Sequence, residues 1–232
     1  MSANAKPRFD LYRGAHKGLR KALFDAVTRI GATDFRDAAA AAAVAETART
    51  TIALSRKHIA SEQFFVHPVV EARAPGLMAA LDRAHADHKH ELNELEALAR
   101  ALDSASDAAV RLAAGARLYE AVALFAASDL VHMAQEEQTV MPALWRVFSD
   151  EELAGIQKSL VAALQPDDLA MALPPMLLAT NALEREKMLG GLKAGLLPER
   201  WELVRTLASR VLDPAALAEL ARVLGSPAPL AA

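Results

Sequence analysis

The sequence predicts an all-α protein: an up-down four-helix bundle over residues 1–148, followed by a C-terminal helical extension over residues 149–232. Three observations predict it. Of 232 residues, 53% are hydrophobic but only 5% aromatic, with alanine and leucine abundant and none of the alternating Val, Ile and Thr runs that strands require. Apolar residues recur at alternating spacings of three and four over long windows. Two segments, His58–Pro68 and His132–Pro142, carry His, Ala, Glu, Val and Pro at the same offsets, so the chain reads as two helical pairs.

The first helix is expected from about Asp10 to Ile30, because Tyr12, His16, Leu19, Leu23, Ala26 and Ile30 form one seam, with Gly31 as its stop. A second runs from about Asp34 to Val66; its seam passes through Val44, Ala48, Thr51, Ser55, His58, Glu62 and Phe65 before Pro68 ends it. The third follows the breaker Ala74-Pro75-Gly76 and aligns Leu77, Leu81, His85, His88, Leu92, Leu95 and Ala99. The fourth spans about Asp107 to Val147, with Leu118, Val122, Phe125, Asp129, His132, Glu136, Val140 and Ala143 on one side. Ser149-Asp-Glu-Glu152 is a capping box that opens a fifth helix to about Leu164. Beyond it Pro166, Pro174-Pro175, Gly190-Gly191, Pro198 and Pro214 are expected to cut the chain into short helices, with a frayed Ser226–Pro229 end.

Composition removes several functions. A net charge of -3 with dispersed Lys and Arg offers no basic stripe for a phosphate backbone, so nucleic acid is not an expected ligand. No stretch long enough to span a bilayer is free of charges, nor does an apolar segment of the signal-peptide kind follow the polar start; no membrane role is expected, and the cytoplasm is the expected location. The absence of cysteine excludes disulfides, thiolate ligands, iron–sulfur clusters and a cysteine nucleophile. Any metal must be held by nitrogen and oxygen.

Those donors lie in the seams. A His and a Glu four apart stand on one helix face, where imidazole nitrogen and carboxylate oxygen can converge on a point in a bundle core. All four helices contribute: His16; His58 with Glu62; His85 with or without His88; His132 with Glu136. A lone seam histidine is usually a hydrogen-bonded core residue, but imidazoles and carboxylates buried together on four helices are costly without a cation. Mixed imidazole and carboxylate ligation suits iron, manganese or zinc, and two facing His-Glu helices allow the carboxylates to bridge two metals. Glu137 lies off the His132 face on a regular helix and reads as an outer or solvent-facing group. Asp82 and Asp129, three residues before His85 and His132, are placed to accept those histidines' other N–H groups. His90 reads as solvated, and His67, beside Pro68, as a helix-end or solvent-facing residue.

The order lone His, His-x3-Glu, lone His, His-x3-Glu, with Pro closing each His-Glu helix, resembles the hemerythrin-like HHE cation-binding family over about residues 10 to 147. The resemblance implies a bundle around two non-haem irons, oxo- or hydroxo-bridged, with Glu62 and Glu136 as bridging carboxylates and His16, His58, His85 and His132 as terminal ligands; His88 stays open as a further ligand. It implies a small diatomic or peroxide as the exogenous ligand, and a role in sensing, iron handling or redox response. Oxygen carriers of this kind place two histidines four apart on the third helix and a carboxylate five residues after the last histidine. Here His85 and His88 are three apart, although Glu137 meets the second spacing. The alternatives are reversible oxygen carriage, a ferritin-type di-iron oxidase, and a metal-free or haem-binding helical interaction module. The C-terminal helices are a candidate surface for a protein partner.

Overall fold

The computed structural model describes residues 7–223, and every regular element among them is helical. The expected fraying of Ser226–Pro229 lies outside the described residues. The long helices are α1 (Arg13–Gly31), α2 (Ala38–Ser61), α4 (Ala79–Asp103) and α5 (Ala108–Gln135), with the short α3 (His67–Arg73) and α6 (Met141–Val147) continuing α2 and α5. Helices α1 and α4 each pack against both α2 and α5, which closes a four-membered ring. The beginnings are set by side chains that take the free N–H groups of the first turn. Asp10 Oδ1 accepts from Tyr12 and Arg13, Asp37 caps α2 through Ala39 and Ala40, and Asp107 caps α5 through Ala109 and Val110.

Two chain breaks differ from expectation. Pro68 does not end the second helix, and Pro142, which the resemblance has closing the fourth, lies within the expected run to Val147: each sits near the start of a continuing helix, directly after a five-residue π-turn at Glu62–Val66 or Glu136–Val140. In these turns the His67 N–H reaches Glu62 O and the Met141 N–H reaches Glu136 O, five residues back. The wider turn removes the four-back ladder in which proline would clash. Gly31 is the last residue of α1 rather than a left-handed stop; a Cβ there would stand 2.7 Å from the Tyr119 ring, so close packing accounts for it. Gly76, with φ +83°, makes the left-handed turn between α3 and α4 that favours glycine.

The remaining helices are α7 (Asp150–Ala163), α8 (Pro166–Ala179), α9 (Ala182–Gly195), α10 (Pro198–Val211) and α11 (Pro214–Val223). The Ser149–Glu152 capping box opens α7. Pro166, Pro198 and Pro214 begin helices, as a residue without N–H does at no cost, while Pro174-Pro175 and Gly190-Gly191 lie inside α8 and α9 rather than cutting them. Burial of Leu169, Leu173 and Leu177 holds α8 together where its prolines cannot donate. Helix α8 lies along α1 and against α10, with Met176 seated over Gly18. Ion pairs Lys57–Asp168 (2.8 Å) and Lys17–Glu184 (2.7 Å) tie α8 and α9 to the bundle. No described helix is long and apolar enough to cross a membrane.

Three apolar clusters result. One fills the upper bundle around Leu23, Ile30, Ile52, Leu92 and Leu118. A second closes the opposite end, where Tyr12, Val70, Leu81 and Met141 meet Leu153 and Ile156 of α7. A third lies among α7 to α11. Between the first two runs a polar layer.

Candidate metal centre

Helical spacing places the polar layer. On α1, His16 falls between Tyr12 of the lower cluster and Leu19 of the upper one; on α4, His85 falls between Leu81 and Leu92. His58 and Glu62, and His132 and Glu136, come from the ends of α2 and α5, where a regular helix still holds at His-x3-Glu before the π-turn begins. His16, Glu62, His85, His132 and Glu136 are all buried.

The ligand atoms fall into two groups. His16, His58, Glu62 and Glu136 bring one donor atom each within 4.8 Å of one another, and so do Glu62, His85, His132 and Glu136. Both carboxylates belong to both groups. Glu62 presents Oε1 to His58 Nε2 at 3.2 Å and Oε2 to His85 Nε2 at 3.2 Å. Glu136 presents Oε2 to His16 Nε2 at 3.2 Å and Oε1 to His132 Nε2 at 3.4 Å. His85 Nε2 and His132 Nε2 face each other at 2.9 Å.

Such a layer is expensive as it stands. His16 Nε2, His58 Nε2, Glu62 Oε2 and both Glu136 oxygens are buried without a hydrogen-bond partner, although carboxylates and imidazoles are close. Burial, then the neighbouring Glu136, pushes the Glu62 carboxyl well above its usual range. For Glu136 burial acts in the same direction but is outweighed by His132 and His16, which hold it well below. Burial also opposes charge on His16, yet Glu136, Glu137 and Glu62 overcome it and raise that imidazole well above its usual value. His58 and His85 are both pushed down to about 3, chiefly by burial and then by neighbouring imidazoles. A metal cation would relieve this cost, because it both balances buried carboxylate charge and takes up the orphaned lone pairs. The donor set, all N and O, fits iron, manganese or zinc.

Around this layer the structure sorts the remaining candidates. Glu137 stays outside both groups and reaches across to α1, where Oε1 accepts from His16 Nδ1 at 2.9 Å and from Arg20 at 2.7 Å. His88 is buried but belongs to neither group: Nε2 contacts Ser128 Oγ at 3.1 Å, and Nδ1 lies 3.6 Å from Asp129 Oδ1. The two aspartates do not meet the histidines expected of them. Asp129 Oδ1 lies 3.6 Å from His88 Nδ1 and Asp82 holds His67 Nδ1 at 2.7 Å, while His132 Nδ1 and His85 Nδ1 are left without a hydrogen-bond partner. His90 is exposed and pairs with Glu94.

His67 differs most from its sequence reading. It is buried, its ring stacks on His85 at 5.1 Å between centroids, and a donor atom of His67, Asp82 and His85 each lies within 4.8 Å of the others. The π-turn brings it in, since a widened turn aligns residues five apart where a regular helix separates them. The recurrence of His-x3-Glu-x5-Pro is the one sequence signal of that turn. Tyr12, read as ordinary core, stacks on His16 at 5.4 Å, and its buried hydroxyl has no partner. Burial, then the charges of Glu62 and Glu136, raises that phenol well above its usual value, which places it in the field of the two carboxylates.

The family model of the hemerythrin HHE cation-binding domain matches residues 8–144, the span that holds all of these candidate ligands. No curated protein and no solved structure matches the chain.

Proposed function

Because the chain belongs to the hemerythrin HHE cation-binding family, we propose that it holds two non-haem irons, one in each histidine group, bridged by Glu62 and Glu136, and that a small diatomic ligand or peroxide reaches them. The observation that carries this reading is the division of labour within each carboxylate, one oxygen toward each group. A single ion would not require it. Iron bound there would supply a redox couple and open coordination positions, since four imidazoles and two carboxylates fall short of filling a pair of six-coordinate ions.

The chain's own part is to hold and to exclude. Glu137 fixes the His16 tautomer by accepting from Nδ1, leaving Nε2 as the donor that faces the core. The apolar clusters above and below keep bulk water away. Tyr12, stacked on His16, carries a buried hydroxyl without a partner that could donate to an exogenous ligand. A buried layer walled by apolar clusters suits a ligand of two or three atoms, which supports a role in sensing, iron handling or redox response.

Two rivals lose support. Carriage with a second histidine from the third helix needs His88, whose nitrogens are turned to Ser128 and Asp129. A ferritin-type site needs Asp82 or Asp129 among the carboxylates, and neither joins the two groups. The test is to expose anaerobically reduced, iron-loaded protein to oxygen, and separately to nitric oxide, while recording the visible and electron paramagnetic resonance spectra. The proposal expects nitric oxide to bind and oxygen to oxidise the iron without return on evacuation. Full return of the reduced spectrum would restore oxygen carriage, and absence of any response to either gas would remove the small-ligand role.

A further inference from the structure

We propose that His67, Asp82 and His85 form a second, outer cation site through which a divalent metal ion is loaded into the paired positions of the core. The inference rests on the two-metal reading above. One donor atom from each of the three residues lies within 4.8 Å of the others, and ligands on opposite sides of an ion with bonds of about 2.0–2.2 Å stand roughly that far apart. Two imidazoles and a carboxylate suit iron, manganese or zinc. His67 and His85 are buried, and His67 Nε2 and His85 Nδ1 have no hydrogen-bond partner. Asp82 is about half exposed, its side chain retaining 52% of its accessible surface, so the trio runs from solvent to core.

His85 is the shared member. Its Nε2 faces Glu62 and His132 inside the bundle, at 3.2 and 2.9 Å. A neutral imidazole binds one cation through one nitrogen, so His85 serves the outer and inner positions in turn, and the outer one is a place of transit rather than permanent storage.

The repeat in the chain provides an internal comparison. His67 follows Glu62 by five residues, and Met141 follows Glu136 by five; Asp82 precedes His85 by three, and Arg13 precedes His16 by three. The other half therefore presents a thioether and a guanidinium where this half presents an imidazole and a carboxylate. His16 Nδ1 is also already held by Glu137, itself paired with Arg20, whereas the matching Gln63 is taken by Lys89 and leaves His85 Nδ1 without a partner. Among the described residues the His85 side therefore carries the outer donor set that the His16 side lacks.

The experiment uses the full chain, stripped of metal, mixed anaerobically with Co(II), whose visible bands report ligation. Asp82→Asn, at an exposed position, and His67→Gln are compared with the parent by stopped flow and by metal analysis after desalting. Both variants are expected to reach the parent's two ions per chain but to load about tenfold more slowly, and Asp82→Glu to recover most of the rate. Loading at the parent's rate in both variants would overturn the proposal while leaving the two-metal reading intact. Reduced final occupancy in them would also overturn it, by making His67 and Asp82 ligands of the inner pair. A parent chain that takes up no cobalt would remove the two-metal reading itself, and the outer site with it.

Discussion

His16 Nδ1 lies 2.9 Å from Glu137 Oε1, and the same oxygen takes the Arg20 guanidinium at 2.7 Å. In the proposed two-ion site Glu137 would therefore act on a metal through His16, whereas Glu62 and Glu136 would be ligands themselves. Glu62→Ala or Glu136→Ala should lower bound iron to one or none per chain. Glu137→Gln should leave two irons at saturation with affinity weakened by roughly 10- to 100-fold. Metal analysis across an iron titration separates the three; loss of an iron at saturation in the Glu137 variant would make it a ligand.

His85 and His88 are three residues apart on α4 but have different surroundings. His85→Ala should remove iron and change the visible spectrum. His88→Ala should keep both irons and act mainly on stability, by leaving Asp129, whose carboxyl burial raises to about 6, without its facing imidazole. Equal loss of iron in both variants would give α4 two ligands.

The metal-free protein should keep His58 and His85 neutral at pH 5, because both are held down to about 3 by burial. In an unfolded chain these groups protonate near about 6.5, so between that pH and about 3 the unfolded state binds more protons. Their contribution to stability is therefore present at neutral pH and is lost as pH falls through that window. Glu62 pulls the opposite way above its ordinary value of 4.5, since the folded chain retains that proton longer. A residue-resolved NMR titration of the imidazoles reads the effect directly. Midpoints near the ordinary value for either histidine would contradict the described burial.

At Gly18 a Cβ would meet Met176 Cγ at 2.5 Å and its Cα at 3.1 Å, so Gly18→Ala must push α8 away from α1. The expected cost is about 1–3 kcal/mol in thermal or denaturant unfolding. Gly155→Ala, on α7 with nothing within 4 Å of the added carbon, should instead stabilise by about 0.5–1 kcal/mol. Equal effects at the two positions would mean that α8 is not seated as described.

The bundle helices and the convergence of six candidate ligands are legible in sequence because each depends on spacing within one regular helix: His58 with Glu62, His132 with Glu136, and His16 and His85 in their seams. His67 is not, because a π-turn shifts its azimuth and nothing in local composition marks that turn apart from the recurring proline. The partners of Asp82 and Asp129 are also illegible, since each is chosen across helices. Pro174-Pro175 misleads for a related reason: a helix buried through Leu169, Leu173 and Leu177 tolerates what an isolated one does not.

If two ions share Glu62 and Glu136, an anaerobic ferrous titration of the metal-free full chain must show both. Iron retained after desalting, read together with the melting temperature at each step, should saturate at two per chain, with stability rising until that point and no further. Saturation at one iron, or a chain that retains none and melts at an unchanged temperature, would rule out a shared pair.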